Sequence, residues 1–280
     1  MTSFRKLLRK TGLTLTEVMI ENEKALTGKT EEQIFEYIDT LISTMCLSVE
    51  HGLTETGVLP GPIGLLRKAA ILFENSKNCE FEFERELAEL NAFAMAASEE
   101  NAAGKRVVTA PTSGSAGVLP GIIYMLKKRG CMPEEKLRDG FLAAALIAFI
   151  AKHNASIAGA EVGCQGEIGV ASSMGAAFIT FAKGHNMKRV ENAAEIALEH
   201  HLGMTCDPVD GFVQMPCIER NAVGAVTAFN AYIIASAGDP ARQKISFDEV
   251  VEAMLETGRD MPLKYKETAM GGLAVCCVCC

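Results

Sequence analysis

The stretch from residue 30 to residue 45 reads Thr30-Glu-Glu-Gln-Ile-Phe-Glu-Tyr-Ile-Asp-Thr-Leu-Ile-Ser-Thr-Met45. Its first four residues match the capping box, in which Ser or Thr is followed three positions later by Glu or Gln. The apolar residues that follow recur every three or four positions, which is the period of an amphipathic helix. They are Ile34, Ile38, Leu41, Ile42 and Met45. The stretch therefore predicts an α-helix, which we expect to end at Gly52.

Similar helical signals continue along the rest of the chain. The further predicted helices cover residues 65–73, 87–97, 134–151 and 189–202. A second capping box, Ser246–Glu249, begins another helix that we expect to end at Gly258. No long run alternates with period two, and the Gly-rich residues 159–175 cannot form a continuous regular helix. The prediction is a mainly α, loop-rich protein with one domain over residues 1–280 and a helical N-terminal lobe over about residues 1–100.

Composition narrows the range of functions. The chain has 280 residues, is 49% apolar, contains no Trp and carries a formal charge of −8. Because it has no basic stripe that could neutralise phosphates, we expect no nucleic-acid partner. The most apolar run, residues 141–151, is shorter than the ~20 residues that cross a membrane, so no membrane partner is expected. No secretory signal is evident, which predicts a cytoplasmic protein whose ten cysteines are not a disulfide framework.

Three cysteines lie in short blocks rich in Gly or Pro. The blocks are Gly159-Ala-Glu-Val-Gly-Cys164-Gln-Gly-Glu167, Thr205-Cys206-Asp-Pro208 and Pro216-Cys217-Ile-Glu-Arg-Asn221. The cysteines are 42 and 11 residues apart by subtraction, spacings that fit neither a zinc ribbon nor a ferredoxin run. Three thiolates brought together by folding suit a [4Fe–4S] cluster with one open, Lewis-acidic iron, which favours dehydration chemistry. The competing interpretation is three buried core thiols.

Two further segments carry polar groups suited to a small substrate. Residues 111–117 form a small-residue loop before a helix, although they match neither a Walker loop nor a dinucleotide fingerprint. Residues 154–156 follow the apolar helix. A tight interhelical loop and a helix-ending cap are the competing interpretations. The candidate substrate-binding residues are Thr112, Ser113, Gly114, Asn154 and Ser156.

The candidate catalytic groups lie beside the cysteines. Glu161 and Glu167 flank Cys164, where a carboxylate could orient a substrate ammonium or accept a proton. His201 ends a predicted helix five residues before Cys206. Solvated carboxylates, and a histidine that interacts only with the helix dipole, are the alternatives.

Five blocks of the sequence together resemble the α subunit, or α domain, of the iron–sulfur L-serine dehydratases. They are Ala110-Pro-Thr-Ser-Gly114, Lys152-His-Asn-Ala-Ser-Ile157, Gly159–Glu167, Glu199-His-His-Leu-Gly-Met-Thr-Cys-Asp-Pro208 and Pro216–Asn221. The resemblance implies a largely helical catalytic fold over essentially the whole chain. It also implies conversion of L-serine to pyruvate and ammonia.

The resemblance further implies a cofactor and a partner. It assigns a [4Fe–4S] cluster to Cys164, Cys206 and Cys217, with Cys280 folding back as a fourth ligand that substrate displaces. Cys277 or Cys279 could serve in place of Cys280. It implies a β subunit or domain carrying a Ser-Ser-His-Thr segment with a candidate catalytic His. Since this sequence has no Ser-Ser-His, we expect a separate β subunit.

Three other functions compete with this one. A pyridoxal-phosphate dehydratase would need a Schiff-base lysine in a suitable setting, which the sequence does not offer, so we expect no pyridoxal phosphate. A cluster hydro-lyase acting on a hydroxy-acid would recruit paired cations, and the cysteine-bearing stretch has few. A noncatalytic iron or redox sensor is favoured only by the Cys-rich tail, residues 276–280.

Overall fold

The computed structural model describes residues 1–276. Within them the helices are α1 (Thr2–Thr11), α2 (Leu15–Thr27), α3 (Glu31–Thr54), α4 (Ala69–Ser76), α5 (Glu82–Ala102), α6 (Val118–Lys128), α7 (Glu134–Asn154), α8 (Gly159–Val162), α9 (Val170–Ala182), α10 (Met187–Glu199), α11 (Cys217–Ala237), α12 (Phe247–Asp260) and α13 (Leu273–Cys276). A π-helical turn, Gln165–Gly169, precedes α9. The described residues form two isolated β-bridges and no strand. The predicted mainly α fold is confirmed.

Both predicted capping boxes begin helices. The Thr30 hydroxyl accepts a hydrogen bond from the backbone N–H of Gln33, and the Gln33 side chain accepts one from the N–H of Thr30. Ser246 and Glu249 make the same pair of contacts at the start of α12. Because these bonds satisfy N–H groups that have no partner within the helix, both starts were readable from the local sequence.

Two glycines that we expected to end helices instead lie inside them. Gly52 is within α3 and Gly258 is within α12. A Cβ at Gly52 would collide with the backbone carbonyl of Ala96 in α5, and one at Gly258 would lie 2.7 Å from Cγ1 of Val162. Each glycine therefore permits a close approach between backbones, which overrides its weak helix propensity.

The helix predicted over residues 65–73 begins four residues late, at Ala69. The residues before it pair with the preceding loop. The N–H of Leu59 donates to Leu65 O at 2.8 Å, and the N–H of Arg67 donates to Gly57 O at 2.8 Å. These long-range bonds replace the first turn of the expected helix.

The core is arranged around α9. All residues of α9 except Phe181 are buried, and the helix packs against α6, α7, α10 and α11. Gly175 allows this close packing, since a Cβ there would lie 3.0 Å from the Cβ of Ala228 in α11. One continuous hydrophobic core includes side chains from α2, α3, α9 and α12. The single domain with a helical N-terminal lobe stays a prediction.

Three helix starts lie at or next to residues of the candidate site. The π-helical turn enters α9, Cys217 is the first residue of α11, and residues 111–117 enter α6. Side-chain hydrogen bonds of Thr112 and Asn221 join residues near these three starts. In the described part of the chain, no helix combines the length and the apolar character needed to cross a bilayer.

Candidate active site

Two of the three predicted cysteines meet around one carboxylate. The Sγ atoms of Cys164 and Cys206 and an oxygen of Glu167 all lie within 4.8 Å of one another. Both thiols donate to Glu167 Oε2, at 3.9 Å from Cys164 and 3.8 Å from Cys206. The two cysteines are 2% and 3% exposed. Folding therefore brings together residues 42 positions apart, by subtraction, at one buried point.

Each cysteine is placed by a different local structure. Cys164 follows Gly163, whose φ of 75° reverses the chain between α8 and the π-helical turn. Cys206 lies in an extended connection that forms a parallel bridge with Lys266. Cys217 is buried at the N-terminus of α11, where the helix dipole favours a thiolate. Cys164 thus directly precedes the π-helical turn, Cys206 lies in a connection, and Cys217 lies at a helix start.

The protonation of the three thiols is coupled. The pKa of Cys164 is lowered, chiefly by a hydrogen bond from the Cys206 thiol and, against burial, by the Arg220 guanidinium. The same hydrogen bond raises the pKa of Cys206. Burial, followed by the negative charge of Cys164, raises the pKa of Cys217 to about 12. Deprotonation is therefore easier at Cys164 than at the other two thiols, and a bound cation would favour it at all three.

Glu167 is held from the opposite side by the predicted substrate loop. The Thr112 hydroxyl donates to Glu167 Oε1 at 2.6 Å. Burial raises the pKa of Glu167. A Cβ at Gly159 would lie 2.7 Å from Glu167 Oε2 and 3.0 Å from the Cys206 sulfur, and one at Gly114 would lie 3.1 Å from Oε1. The backbone at these two glycines therefore packs closely against the carboxylate and the sulfur, where a side chain would not fit.

A buried ion pair supports the cysteine segments. Arg220 contacts Asp207 Oδ1 at 2.9 Å and donates to the carbonyl of Thr205 at 2.7 Å. Although burial opposes the shift, hydrogen bonds from the Leu273 N–H and Arg220 lower the pKa of Asp207. We did not single out these residues in the sequence. The available signal was position, because Asp207 follows Cys206 directly and Arg220 lies one helical turn after Cys217.

Asn221 is a third residue of the site that was not predicted from the sequence. Its Oδ1 accepts from the N–H groups of Gly117 and Val118 at 2.8 and 3.2 Å, at the start of α6. Its Nδ2 donates to the carbonyls of Gly114 and Cys217 at 2.8 and 2.9 Å. Asn221 therefore fixes the predicted substrate loop relative to the start of α11.

The other candidate substrate-binding residues do not all point to this pocket. Ser113 is exposed, and the Ser156 hydroxyl accepts a hydrogen bond from the N–H of Ala158 at 3.1 Å. Asn154 lines a cavity of about 530 Å³ together with Phe4 and Asp248. Thr112 and Gly114 are the members of the set that contact the candidate site.

Two of the three candidate catalytic residues lie apart from Glu167. Glu161 is exposed on α8. His201 is buried, with Nδ1 2.7 Å from the Ala197 carbonyl and Nε2 3.5 Å from the Ser172 hydroxyl. Burial lowers its pKa. These contacts occupy both ring nitrogens between α9 and α10, and a catalytic role for either residue stays a prediction.

The C-terminal segment reaches the same region. The N–H of Leu273 donates to Asp207 Oδ2 at 2.8 Å, next to Cys206. The predicted fourth ligand, Cys280, and its alternatives Cys277 and Cys279 lie outside the described residues.

One family model and several known proteins match most of this chain. The family model described as serine dehydratase alpha chain matches residues 10–274. The chain is similar to an L-serine dehydratase of Haemophilus influenzae, with 47% identity over 96% of this chain, and to L-serine dehydratase TdcG of Escherichia coli, with 48% identity over 96%. An L-serine dehydratase of Streptomyces coelicolor is 45% identical over 96% of the chain. The chain spans 59% of the length of each of these relatives.

Proposed function

Since the chain belongs to the serine dehydratase alpha chain family, we propose that it is the catalytic part of an L-serine ammonia-lyase, which forms pyruvate and ammonia. The relatives named above are L-serine dehydratases. The observation that carries the proposal is the buried meeting of Cys164, Glu167 and Cys206, with Cys217 coupled to them.

The donor set fits an iron–sulfur cluster. Three buried thiols, one of them at a helix N-terminus, are the ligands that iron–sulfur clusters take. Gly159 keeps a side chain away from the Cys206 sulfur, since a Cβ there would lie 3.0 Å from it. We assign Cys164, Cys206 and Cys217 as ligands of a [4Fe–4S] cluster, with Cys280 as the predicted fourth. When bound, the cluster would supply a Lewis-acidic iron for the departing hydroxyl group.

Within the pocket, Glu167 is the candidate acid–base group. Its carboxylate is fixed by Thr112 and lies within 4.8 Å of both sulfurs, so a substrate hydroxyl bound beside the sulfurs would lie within its reach. Loss of the α-proton and of the hydroxyl group, which leaves as water, gives an enamine. Its imine tautomer takes up water and releases ammonia and pyruvate.

Thr112 and Gly114 are placed to bind the polar groups of serine. The loop that contains them is held by Asn221, which reduces the entropy lost when substrate is ordered there. Ser113, Asn154 and Ser156 stay predictions for the same role, as do Glu161 and His201 for catalysis.

The active enzyme would include more than this chain. The relatives are longer, and we propose that a separate β subunit carrying the Ser-Ser-His-Thr segment completes the site and supplies the base for the α-proton. Serine breakdown would then feed pyruvate metabolism and gluconeogenesis in the cytoplasm, without pyridoxal phosphate.

The proposal is tested by comparing Glu167→Gln with Glu161→Gln in anaerobically purified chain combined with its β partner. We expect Glu167→Gln to lower kcat for L-serine by about 10²-fold or more, the usual scale for an acid–base group. Glu161→Gln, which alters an exposed carboxylate on the same segment, should lower kcat less. Wild-type enzyme that carries its cluster yet leaves serine unchanged would refute the function.

A further inference from the structure

The segment that follows α12 is joined through its backbone to a candidate cluster ligand. The N–H of Cys206 donates to the carbonyl of Tyr265 at 2.8 Å, and the N–H of Glu267 donates to the carbonyl of Cys206 at 2.6 Å. The two bonds form the parallel bridge between Cys206 and Lys266. Glu267 is therefore held beside the group formed by Cys164, Glu167 and Cys206, which we call the cysteine pocket. It follows Cys206 by 61 residues in the sequence, by subtraction.

The backbone of Glu267 is strained. Its φ is 61°, in the left-handed region that favours glycine and disfavours a residue with a Cβ. Ala269 and Gly272 in the same segment also have positive φ values, of 53° and 62°. A Cβ at Gly272 would collide with the Asp207 carboxylate, so the segment packs closely against the residue that follows Cys206.

The Glu267 carboxylate lies near the pocket without a protein partner. Its side chain is exposed, and within residues 1–276 no salt bridge or side-chain hydrogen bond engages it. The carboxylate is thus accessible to a ligand, and the backbone bonds to Cys206 hold its residue beside the pocket.

The charges around the pocket favour a cationic group. Glu167 and Glu267 both contribute carboxylates, and the nearby cation Arg220 is already paired with Asp207. An α-amino acid brings one group of the complementary sign, its ammonium. We propose that Glu267 is a further substrate-binding residue whose carboxylate receives the ammonium group of serine, an inference that rests on the function proposed above.

The test uses two ligands that differ in the ammonium group. L-Serine carries it, and 3-hydroxypropionate has the carboxylate and hydroxyl without it. In the cluster-loaded chain combined with its β partner, Glu267→Gln should raise KM for L-serine about tenfold or more, as expected for a charged hydrogen bond. Its inhibition constant for 3-hydroxypropionate should stay unchanged. Iron and sulfide content equal to wild type shows that the cluster site is intact.

A second variant separates binding from structure. Glu267→Gly relieves the strain and removes the carboxylate, so it should melt at the wild-type temperature or above and still show the raised KM. If Glu267 only shaped the backbone, this variant would bind serine normally. The matched control is Glu256→Gln, an exposed glutamate on α12, which should change neither constant.

The outcomes distinguish the two proposals. If the wild type is active and both Glu267 variants keep its KM for serine, the proposed role of Glu267 is wrong. The proposed serine dehydratase function would still stand. Equal shifts for serine and 3-hydroxypropionate would also overturn the role of Glu267, since recognition of the ammonium would then be absent. Inactive, cluster-loaded wild type would overturn the serine dehydratase function itself, and the role of Glu267 with it.

Discussion

Two buried cysteines show how differently two regions of this molecule are built. Cys46 lies in α3, within the apolar core, and is 6% exposed, whereas Cys206 lies in the cysteine pocket and is 3% exposed. Around Cys46 the helices are regular and the buried side chains are mostly apolar. Around Cys206 the chain leaves regular helix, and a carboxylate and an ion pair are buried with it. Burial alone therefore does not mark the site.

Charged groups are costly to bury in either region. Burying an ion pair such as Asp207–Arg220 costs free energy that packed apolar groups would not, so stability gives little reason to keep it. Buried charged groups also occur away from the site, in the Arg67–Glu100 ion pair and at Glu195, so the site is distinguished by the meeting of thiols with a carboxylate. Four changes would break or sharpen this contrast.

The largest effect is expected from exchanging the two cysteines for alanine in turn. Cys206→Ala should remove the cluster and abolish serine turnover, because a ligand is lost. Cys46→Ala should keep full iron content and activity, with a modest loss of stability. Iron analysis, serine assay and thermal melting of both variants check this. Iron retained in Cys206→Ala would contradict the assignment of Cys206.

A change in the core should act on stability alone. Gly52→Ala should destabilise the fold by about 3 kcal/mol, since the new Cβ must displace the backbone of Ala96. The measurement is the free energy of unfolding in denaturant. Gly238→Ala is the control, because the nearest atom to a Cβ there is 3.9 Å away. Equal stabilities of the two variants would show that α3 and α5 do not pack this closely.

Asn221 lies between the apolar core and the cysteine pocket, so its removal should affect both stability and substrate binding. Asn221→Ala leaves the buried N–H of Gly117 unpaired and frees the Gly114 carbonyl, for about 2 kcal/mol of lost stability. KM for serine should rise as well, because the substrate loop is no longer fixed. Asn230→Ala, at an exposed position on the same helix, serves as control for both measurements. A stability loss with an unchanged KM would separate the loop from substrate binding.

The smallest effect concerns Glu195, a buried carboxylate away from the pocket. Burial, followed by the neighbouring Glu199, raises its pKa to about 8. Because the folded state binds the proton more tightly, this group stabilises the fold below its ordinary pKa of 4.5, and the contribution is lost as pH rises through about 8.

Glu195→Gln should therefore flatten the decline of melting temperature between about pH 5 and pH 9. The exposed Glu252→Gln should leave the decline as in wild type. An identical pH profile in wild type and Glu195→Gln would show that Glu195 is ionised in the folded protein at neutral pH.

The fold was predictable where its causes are local. The capping boxes at Thr30 and Ser246 and the helical period of α3 lie within a few residues of sequence, and the structure confirms them. The expected stops at Gly52 and Gly258 were wrong because their cause is contact with α5 and α8, which no local pattern encodes. Sequence patterns indicate propensity, whereas these positions are decided by packing.

The site was predictable only as a list of reactive residues. The blocks around Cys164, Cys206 and Thr112 could be recognised as candidate sites from their composition. The hydrogen bond from Thr112 to Glu167 joins residues 55 positions apart, and the bond from Asn221 to Gly114 spans 107. Such partners follow from the fold, which is why Asn221 and the Asp207–Arg220 pair were missed. Glu267 lies in a segment without any chemical motif, and only its backbone geometry made it conspicuous.

The most direct test of the account is the iron and acid-labile sulfide content per chain of protein purified without oxygen. The assignment of Cys164, Cys206 and Cys217 as cluster ligands predicts about four of each, lost on exposure to air. Zinc in place of iron, or metal-free protein with its thiols intact, would contradict the cluster assignment and with it the proposed dehydration chemistry.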